Sequence, residues 1–272
     1  MDGVTRAEGP SYDELERAWR SLRTSRGVRV REVACVGAAR TLMLAEIGDH
    51  RAPAVTITAG THGDEPCGPW SLYAIVRDGL LDDRLGYRLW PCVNPSGARA
   101  RTRENAEGDD INRSFSRGGT TPEARAIITA NRDRRFALAI DLHEDCEADG
   151  YYVYEPLGDA LALGSRIVAA LDDAGLPVQR LDDGFDLATP AGAEYTRRLE
   201  RGRVVLDFDE ERKWFTGLPY SLAVTRRAAR RALTCESPRG TAWQHRLAAH
   251  RIAVTTALAT LAAAGREEES SP

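Results

Sequence analysis

Two of the five histidines, His62 and His143, each follow an apolar run: His62 in AVTITAGTHGDE and His143 in FALAIDLHED. Short apolar runs of this kind read as buried strands. In open α/β sheets, ligands bind beyond the carboxyl ends of the strands, so both imidazoles are expected in one crevice. Glu65 lies three residues after His62, close enough to turn its carboxylate onto the same point. Two histidines and one carboxylate, with a fourth position open to water, form a catalytic zinc arrangement. A lone strand-end histidine is more often structural; His-x-x-Glu, a glycine turn and a second strand-end histidine together carry the metal reading. His50, His245 and His250 have no such setting and are expected at the surface.

The elements that must position these residues follow from local pattern. Ser11 and Glu14 form a capping box that opens a helix running to about Arg23. Val28 to Val36 and Thr41 to Ile47 read as strands joined by the turn Gly37-Ala38-Ala39-Arg40. Ala54 to Thr58 reads as a strand, Gly68 to Asp78 as a helix and Tyr87 to Val93 as a strand. Pro122, after Thr120 and Thr121, opens a helix through about Asn131. Phe136 to Leu142 is the most buried-looking strand. Tyr151 to Tyr154, Val178 to Leu181, Val204 to Phe208 and Ala232 to Cys235 are weaker ones, and Ala242 to Ala263 forms a closing amphipathic helix. This alternation predicts a single three-layer α/β/α domain over residues 1–265, with a central mixed, mostly parallel twisted sheet. The tail Arg266 to Pro272, acidic and serine-rich, is expected to be disordered. Between them, Asn94 to Gly119 is a 26-residue stretch with almost no hydrophobic period, and loops that long in compact domains are commonly functional.

Composition bounds the partners. Hydrophobic residues make up 42% and charged residues 29%, as in an ordinary globular protein. The net charge of -4 argues against a general nucleic-acid or membrane-surface binder. Lys213 is the only lysine among 37 basic residues, so the cluster Arg226, Arg227, Arg230 and Arg231 reads first as a solvated helix face. No run of 18 apolar residues exists, which predicts no membrane span, and the N-terminal segment lacks the apolar core of a secretory signal. Five cysteines with no C-x-x-C pair suit a reducing cytoplasm. Cys67, Cys146 and Cys235, near the proposed ligands and base, are expected to be small buried hydrophobes.

Five segments occur in order: AGTHGDEPCG, NPSG, RENAEGDDINRSF, DLHE and TCESP. In combination, over roughly Ala59 to Glu236, they resemble the zinc carboxypeptidase family, including its small bacterial members and the aspartoacylase and succinylglutamate desuccinylase branch. The resemblance implies that His62, Glu65 and His143 hold zinc, which lowers the pKa of a bound water from 15.7 towards roughly 7. It implies that Asp110 accepts a proton from a ligand histidine and that Glu236 is the general base and acid, with Glu210 and Glu211 as rivals. Arg103 is implied to stabilise the oxyanion, with Arg101 the off-register alternative. Asn112 and Arg113 are implied to grip the substrate's carboxylate.

Departures from the family pattern bear on substrate. Asp64 stands where digestive-type members are basic; it either favours a cationic group on the substrate or caps the following helix. The tyrosine that covers the substrate has no clear match; Tyr220 is in a plausible place, Tyr195 less so. The resulting expectation is a cytoplasmic, zinc-dependent hydrolase that cleaves an amide bond beside a free carboxylate in a small peptide or acyl-amino acid, metallocarboxypeptidase-like. An N-acyl-amino-acid deacylase is the alternative enzyme, and an inactive binding protein on the same scaffold the remote one.

Overall fold

The computed structural model describes residues 9–24, 27–35, 41–49, 54–115, 118–180, 186–188, 194–196, 198–207, 219–225 and 228–270. The expected turn at residues 37–40, together with His50, Glu210, Glu211, Arg226 and Arg227, lies outside them.

A nine-stranded sheet forms the middle layer, in the order β1-β2-β4-β3-β5-β11-β6-β10-β9. Its strands are β1 (Arg29–Ala34), β2 (Thr41–Ile47), β3 (Ala54–Ala59), β4 (Gly86–Trp90), β5 (Phe136–Asp145), β6 (Tyr152–Pro156), β9 (Arg198–Glu200), β10 (Arg203–Leu206) and β11 (Ala232–Pro238). β7 (Asp186–Ala188) and β8 (Glu194–Thr196) pair separately. The centre, β4-β3-β5-β11, is parallel throughout. Antiparallel partners flank it: β1 and β2 on one side, β6 on the other. The sheet is therefore mixed, with its parallel part buried where a parallel sheet must be.

Helices cover both faces. One layer holds α1 (Tyr12–Ser21), α2 (Cys67–Arg77), α5 (Leu163–Asp173) and α7 (Trp243–Ser270). Leu15, Trp19, Leu72, Ile75, Ile167, Ala253 and Leu258 from these helices share a core with Val55, Ile57, Leu138, Ile140 and Leu142 of the sheet. Each large apolar side chain buried this way contributes about 1.5–3 kcal/mol. The opposite face carries α4 (Pro122–Ala130) and α6 (Tyr220–Thr225), whose Ala124, Ile127, Tyr220 and Ala223 join Trp90, Phe115 and Phe136 in a second core. The period of two along β5 thus splits its residues: Leu138, Ile140 and Leu142 face α2 and α7, leaving Asp141 and His143 for the other side.

The capping box forms as expected, with the Ser11 side chain on the Glu14 N–H and the Glu14 carboxylate on the Ser11 N–H. β5 and β11 run three residues further than their apolar segments, because continued ladder pairing carries polar residues along. Val178 makes only an isolated bridge to Tyr151 instead of the expected strand. α5 is an element the sequence reading missed. The expected disordered tail is helical as far as Ser270, where α7 simply continues. Part of α7, Trp243–Arg266, is long and apolar enough by length and composition to cross a membrane, at a mean hydropathy of 1.4. Its buried face packs on α2, α5, β5 and β11.

Candidate metal centre

The loop from β3 to α2 carries His62 and Glu65, and its shape is fixed from below. Val93 and Asn94 donate backbone hydrogen bonds to Ala59 and Gly60 at 2.9 and 2.8 Å. Asn94 caps α3 (Pro95–Ala100) through the Gly97 N–H at 2.9 Å, and its Nδ2 donates to the Arg103 carbonyl at 3.1 Å. A Cβ on Gly63 would stand 2.0 Å from the Gly97 carbonyl carbon, so the two loops touch backbone to backbone and tolerate only glycine there. NPSG is thus a brace for HGDE. The long Asn94–Gly119 segment is largely ordered, containing α3 and a 3₁₀ turn over Ile111–Arg113.

His62, Glu65 and His143 converge, with one ligating atom from each lying within 4.8 Å of the others. Glu65 Oε1 is 2.5 Å from His62 Nδ1, and Oε2 is 2.8 Å from His143 Nδ1. All three residues are buried, at 4%, 5% and 1% exposure. The outer nitrogens face carboxylates: His143 Nε2 donates to Asp141 Oδ2 at 3.0 Å, and His62 Nε2 is 3.4 Å from Asp110 Oδ1. That second contact is too poorly aligned to satisfy His62 Nε2, which has no other partner among the described residues. Asp141 is itself held by Thr58 Oγ1 at 2.6 Å. Two Nδ1 atoms and a carboxylate turned inward, with carboxylates behind both imidazoles, is a donor set that fits a zinc ion.

Electrostatics points the same way. Burial lowers the His143 pKa, but Asp141 and Glu65 outweigh it and the net shift is upward. At His62 burial again lowers the pKa, and Glu65 with Asp110 reverses the sign. Burial raises Glu65 and Asp110, yet their histidine neighbours, joined at Asp110 by Arg103 and Arg113, bring both carboxyls below the ordinary range. Carboxylates that stay ionised around two imidazoles make a pocket for positive charge.

Glu236 is the Cα partner of His143 in the parallel β5–β11 ladder, so the two side chains leave the same face of the sheet. Burial pushes its carboxyl up to about 8, with His143 opposing the rise and Glu65 and Asp145 adding to it. Its partial exposure tempers that shift. A carboxyl that exchanges protons near neutrality suits acid–base work.

Arg103 stands over the centre, Nη1 3.4 Å from His62 Nδ1 and Nη2 2.9 Å from Asp110 Oδ2. Its off-register alternative, Arg101, is an exposed residue that ends α3 and donates to the Gly9 carbonyl at 3.3 Å. Arg113 is exposed and Asn112 buried, the Asn112 N–H bonded to Asp110 Oδ1 at 2.8 Å. Tyr220 is not brought to the cleft. It is 3% exposed, packs edge-on against Phe115, and shares a 3.2 Å hydrogen bond with Thr56 Oγ1 in the second core. Its link to the site is its backbone N–H, 3.4 Å from Asn112 Oδ1.

Three other expectations change. Asp64 is no helix cap: its Oδ2 accepts from Arg239 Nη1 at 2.9 Å, which ties the HGDE loop to the end of β11. His250 is fully buried, its Nδ1 2.9 Å from the Tyr151 hydroxyl, because it falls on the inward face of α7; His245 is exposed as expected. Cys67 and Cys235 are buried, whereas Cys146 is exposed just beyond β5. The sequence reading missed Asp141, although the spacing Asp-x-His on a strand, which puts both side chains on one face, announces it.

Known proteins bear on this geometry. Residues 51–179 match the succinylglutamate desuccinylase/aspartoacylase catalytic-domain family. The Arabidopsis thaliana carboxypeptidase SOL1 is 28% identical over 159 residues, which span 48% of this chain and only 32% of that relative. A provisionally assigned metallopeptidase from Shewanella baltica has the same fold, with a TM-score of 0.73 and 23% identity over 91% of both chains. So does a Pseudomonas aeruginosa metallo-carboxypeptidase solved with (2-guanidinoethylmercapto)succinic acid, with a TM-score of 0.67 and 17% identity over 91% of this chain and 68% of that one. Residues 51–179 are thus similar to the desuccinylase/aspartoacylase catalytic domain, and the fold is the one these solved metallopeptidases share.

Proposed function

We propose that the chain is a zinc-dependent hydrolase that cleaves an amide bond beside a free carboxylate, in the manner of a metallocarboxypeptidase. The observation that carries this reading is Glu236 registered beside His143, on the same face as the His62–Glu65–His143 donor set. Zinc held by those three residues would polarise a carbonyl and lower the pKa of a water. Glu236 takes the proton from the attacking water and returns it to the leaving nitrogen, a role worth about 10²- to 10⁴-fold in rate. Arg103, fixed by Asp110, donates to the carbonyl oxygen as negative charge grows on it. Arg113, with Asn112 beside it, supplies a guanidinium fork for the substrate's carboxylate. A reducing, cytoplasmic setting belongs to this reading and is supported by five free thiols.

A second reading has its own support. The family match over residues 51–179 favours an N-acyl-amino-acid deacylase with the same ligands and the same carboxylate grip. Both readings are tested by comparing a blocked dipeptide with the matching N-acetyl and N-succinyl amino acids, on wild type and Arg113→Ala. We expect the peptide to be turned over faster and amidation of its carboxylate to abolish turnover. Faster cleavage of the simple acyl compounds would make it a deacylase, and indifference to amidation would remove Arg113 from the site.

A further inference from the structure

Behind the metal-facing side of β5, one residue touches both halves of the ligand set. Glu144 follows His143 and therefore points the opposite way, into the layer of α2 and α7. Its side chain is 0% exposed. Oε2 accepts the Cys67 N–H, at the first residue of α2, at 2.8 Å. Oε1 accepts from Arg246 of α7, whose side chain is 1% exposed and whose guanidinium carbon lies 5.1 Å from the centroid of the Trp243 ring. The Glu144 backbone N–H meanwhile donates to Glu65 Oε2 at 3.1 Å.

Glu65 stands two residues before Cys67, so Glu144 holds it by two routes. Its main chain grips the Glu65 carboxylate directly, and its side chain pins the backbone just beyond. His143 is its immediate neighbour. The carboxylate also sits at the start of α2, where the unsatisfied helix N–H groups favour negative charge. Arg246 pairs with that carboxylate from behind, so the arrangement is a buried ion pair and not a stray charge. The HGDE loop and the DLHE strand also meet on the metal side, through Glu65 Oε2 with His143 Nδ1 and Thr61 Oγ1 with Asp141 Oδ1, and Glu144 ties them from the opposite face of the sheet.

We propose that Glu144 is a positioning residue for the metal centre: by clamping the Cys67 N–H against β5 it fixes the spacing between Glu65 and His143, and so sets zinc affinity from behind the sheet. The proposal rests on the zinc reading of His62, Glu65 and His143. Residues that orient metal ligands are worth roughly 10- to 100-fold in affinity, and Glu144 should fall in that range.

Two double variants separate positioning from plain stability. Glu144→Leu/Arg246→Met removes both buried charges and the acceptor for the Cys67 N–H. Glu144→Gln/Arg246→Met also removes both charges but keeps an acceptor there. Zinc Kd is measured on the full chain by competition with a chromogenic chelator, alongside thermal melting of the zinc-free proteins. The leucine variant should bind zinc about 10- to 100-fold more weakly than wild type, and the glutamine variant within about threefold of it. If the leucine variant does not melt cooperatively, Glu144→Asp decides in the same assay. It keeps the charge against Arg246 but is one methylene too short for Cys67, so it should weaken zinc binding as the leucine does. Wild-type affinity in the leucine variant, or in Glu144→Asp when that variant decides, would overturn the proposal. Equal losses in the leucine and glutamine variants would overturn it as well. A wild-type protein that binds no zinc would instead overturn the metal reading beneath it.

Discussion

Asp141→Asn probes the carboxylate behind His143. Asp141 Oδ2 accepts the His143 Nε2–H at 3.0 Å, and the pair is buried to 0% and 1% exposure, so no solvent replaces what the substitution removes. Holding Nε2 protonated leaves the Nδ1 lone pair inward, the tautomer a metal needs. Asparagine can still present an oxygen to Nε2, but the negative charge that raises the ligand's basicity is gone. A carboxylate partner of this kind is worth about 10- to 100-fold, or about 1.4–2.7 kcal/mol at 1.36 kcal/mol per tenfold. A hydrogen bond to a charged group, about 1.5–3 kcal/mol, gives the same range independently. The fold should tolerate the change, because Thr58 Oγ1, now 2.6 Å from Asp141 Oδ1, has the Ile140 carbonyl at 3.3 Å as a second acceptor. Chelator competition should therefore show the 10- to 100-fold loss of zinc affinity with thermal stability of the zinc-free protein little changed. An affinity within threefold of wild type would refute the role, as would a loss explained by unfolding.

Glu236→Gln should keep its zinc and lose at least about 10²-fold in kcat on whichever substrate the comparison identifies; an active Glu236→Gln would send the base elsewhere. Gly63→Ala puts a methyl 2.0 Å from the Gly97 carbonyl carbon, a clash of backbone with backbone that should cost about 1–3 kcal/mol in urea unfolding. Unchanged stability would mean the NPSG brace is not rigid. Asp64→Asn should shift stability by less than about 1 kcal/mol, since its pair with Arg239 is partly exposed at 27% and 38%. A larger loss would make that tie a structural necessity.

Much of this site is legible in the sequence alone. His62, Glu65 and His143 stood out because strand ends place side chains in one crevice, and the β3–β5 pairing brings those ends together. Glu236 was legible only through motif order. Its own surroundings look unremarkable until the β5–β11 register puts it beside His143. Asp141 and Glu144 lay in plain view on either side of His143, and the period of two along a strand already puts Asp141 on the histidine's face and Glu144 on the other; which partners each would meet depended on long-range packing. Tyr220 failed for a related reason: a chain position near the site says nothing about side-chain direction, and the apolar ring found Phe115. The tail misled because an acidic, serine-rich composition resembles disorder even where a long helix simply continues.

Metal content tests the ligand set most directly. Wild-type protein, purified without added chelator, should carry about one zinc per chain by elemental analysis, and His143→Ala should lose most of it while remaining folded. Equal zinc in the two proteins would contradict the assignment of His62, Glu65 and His143 as the metal centre.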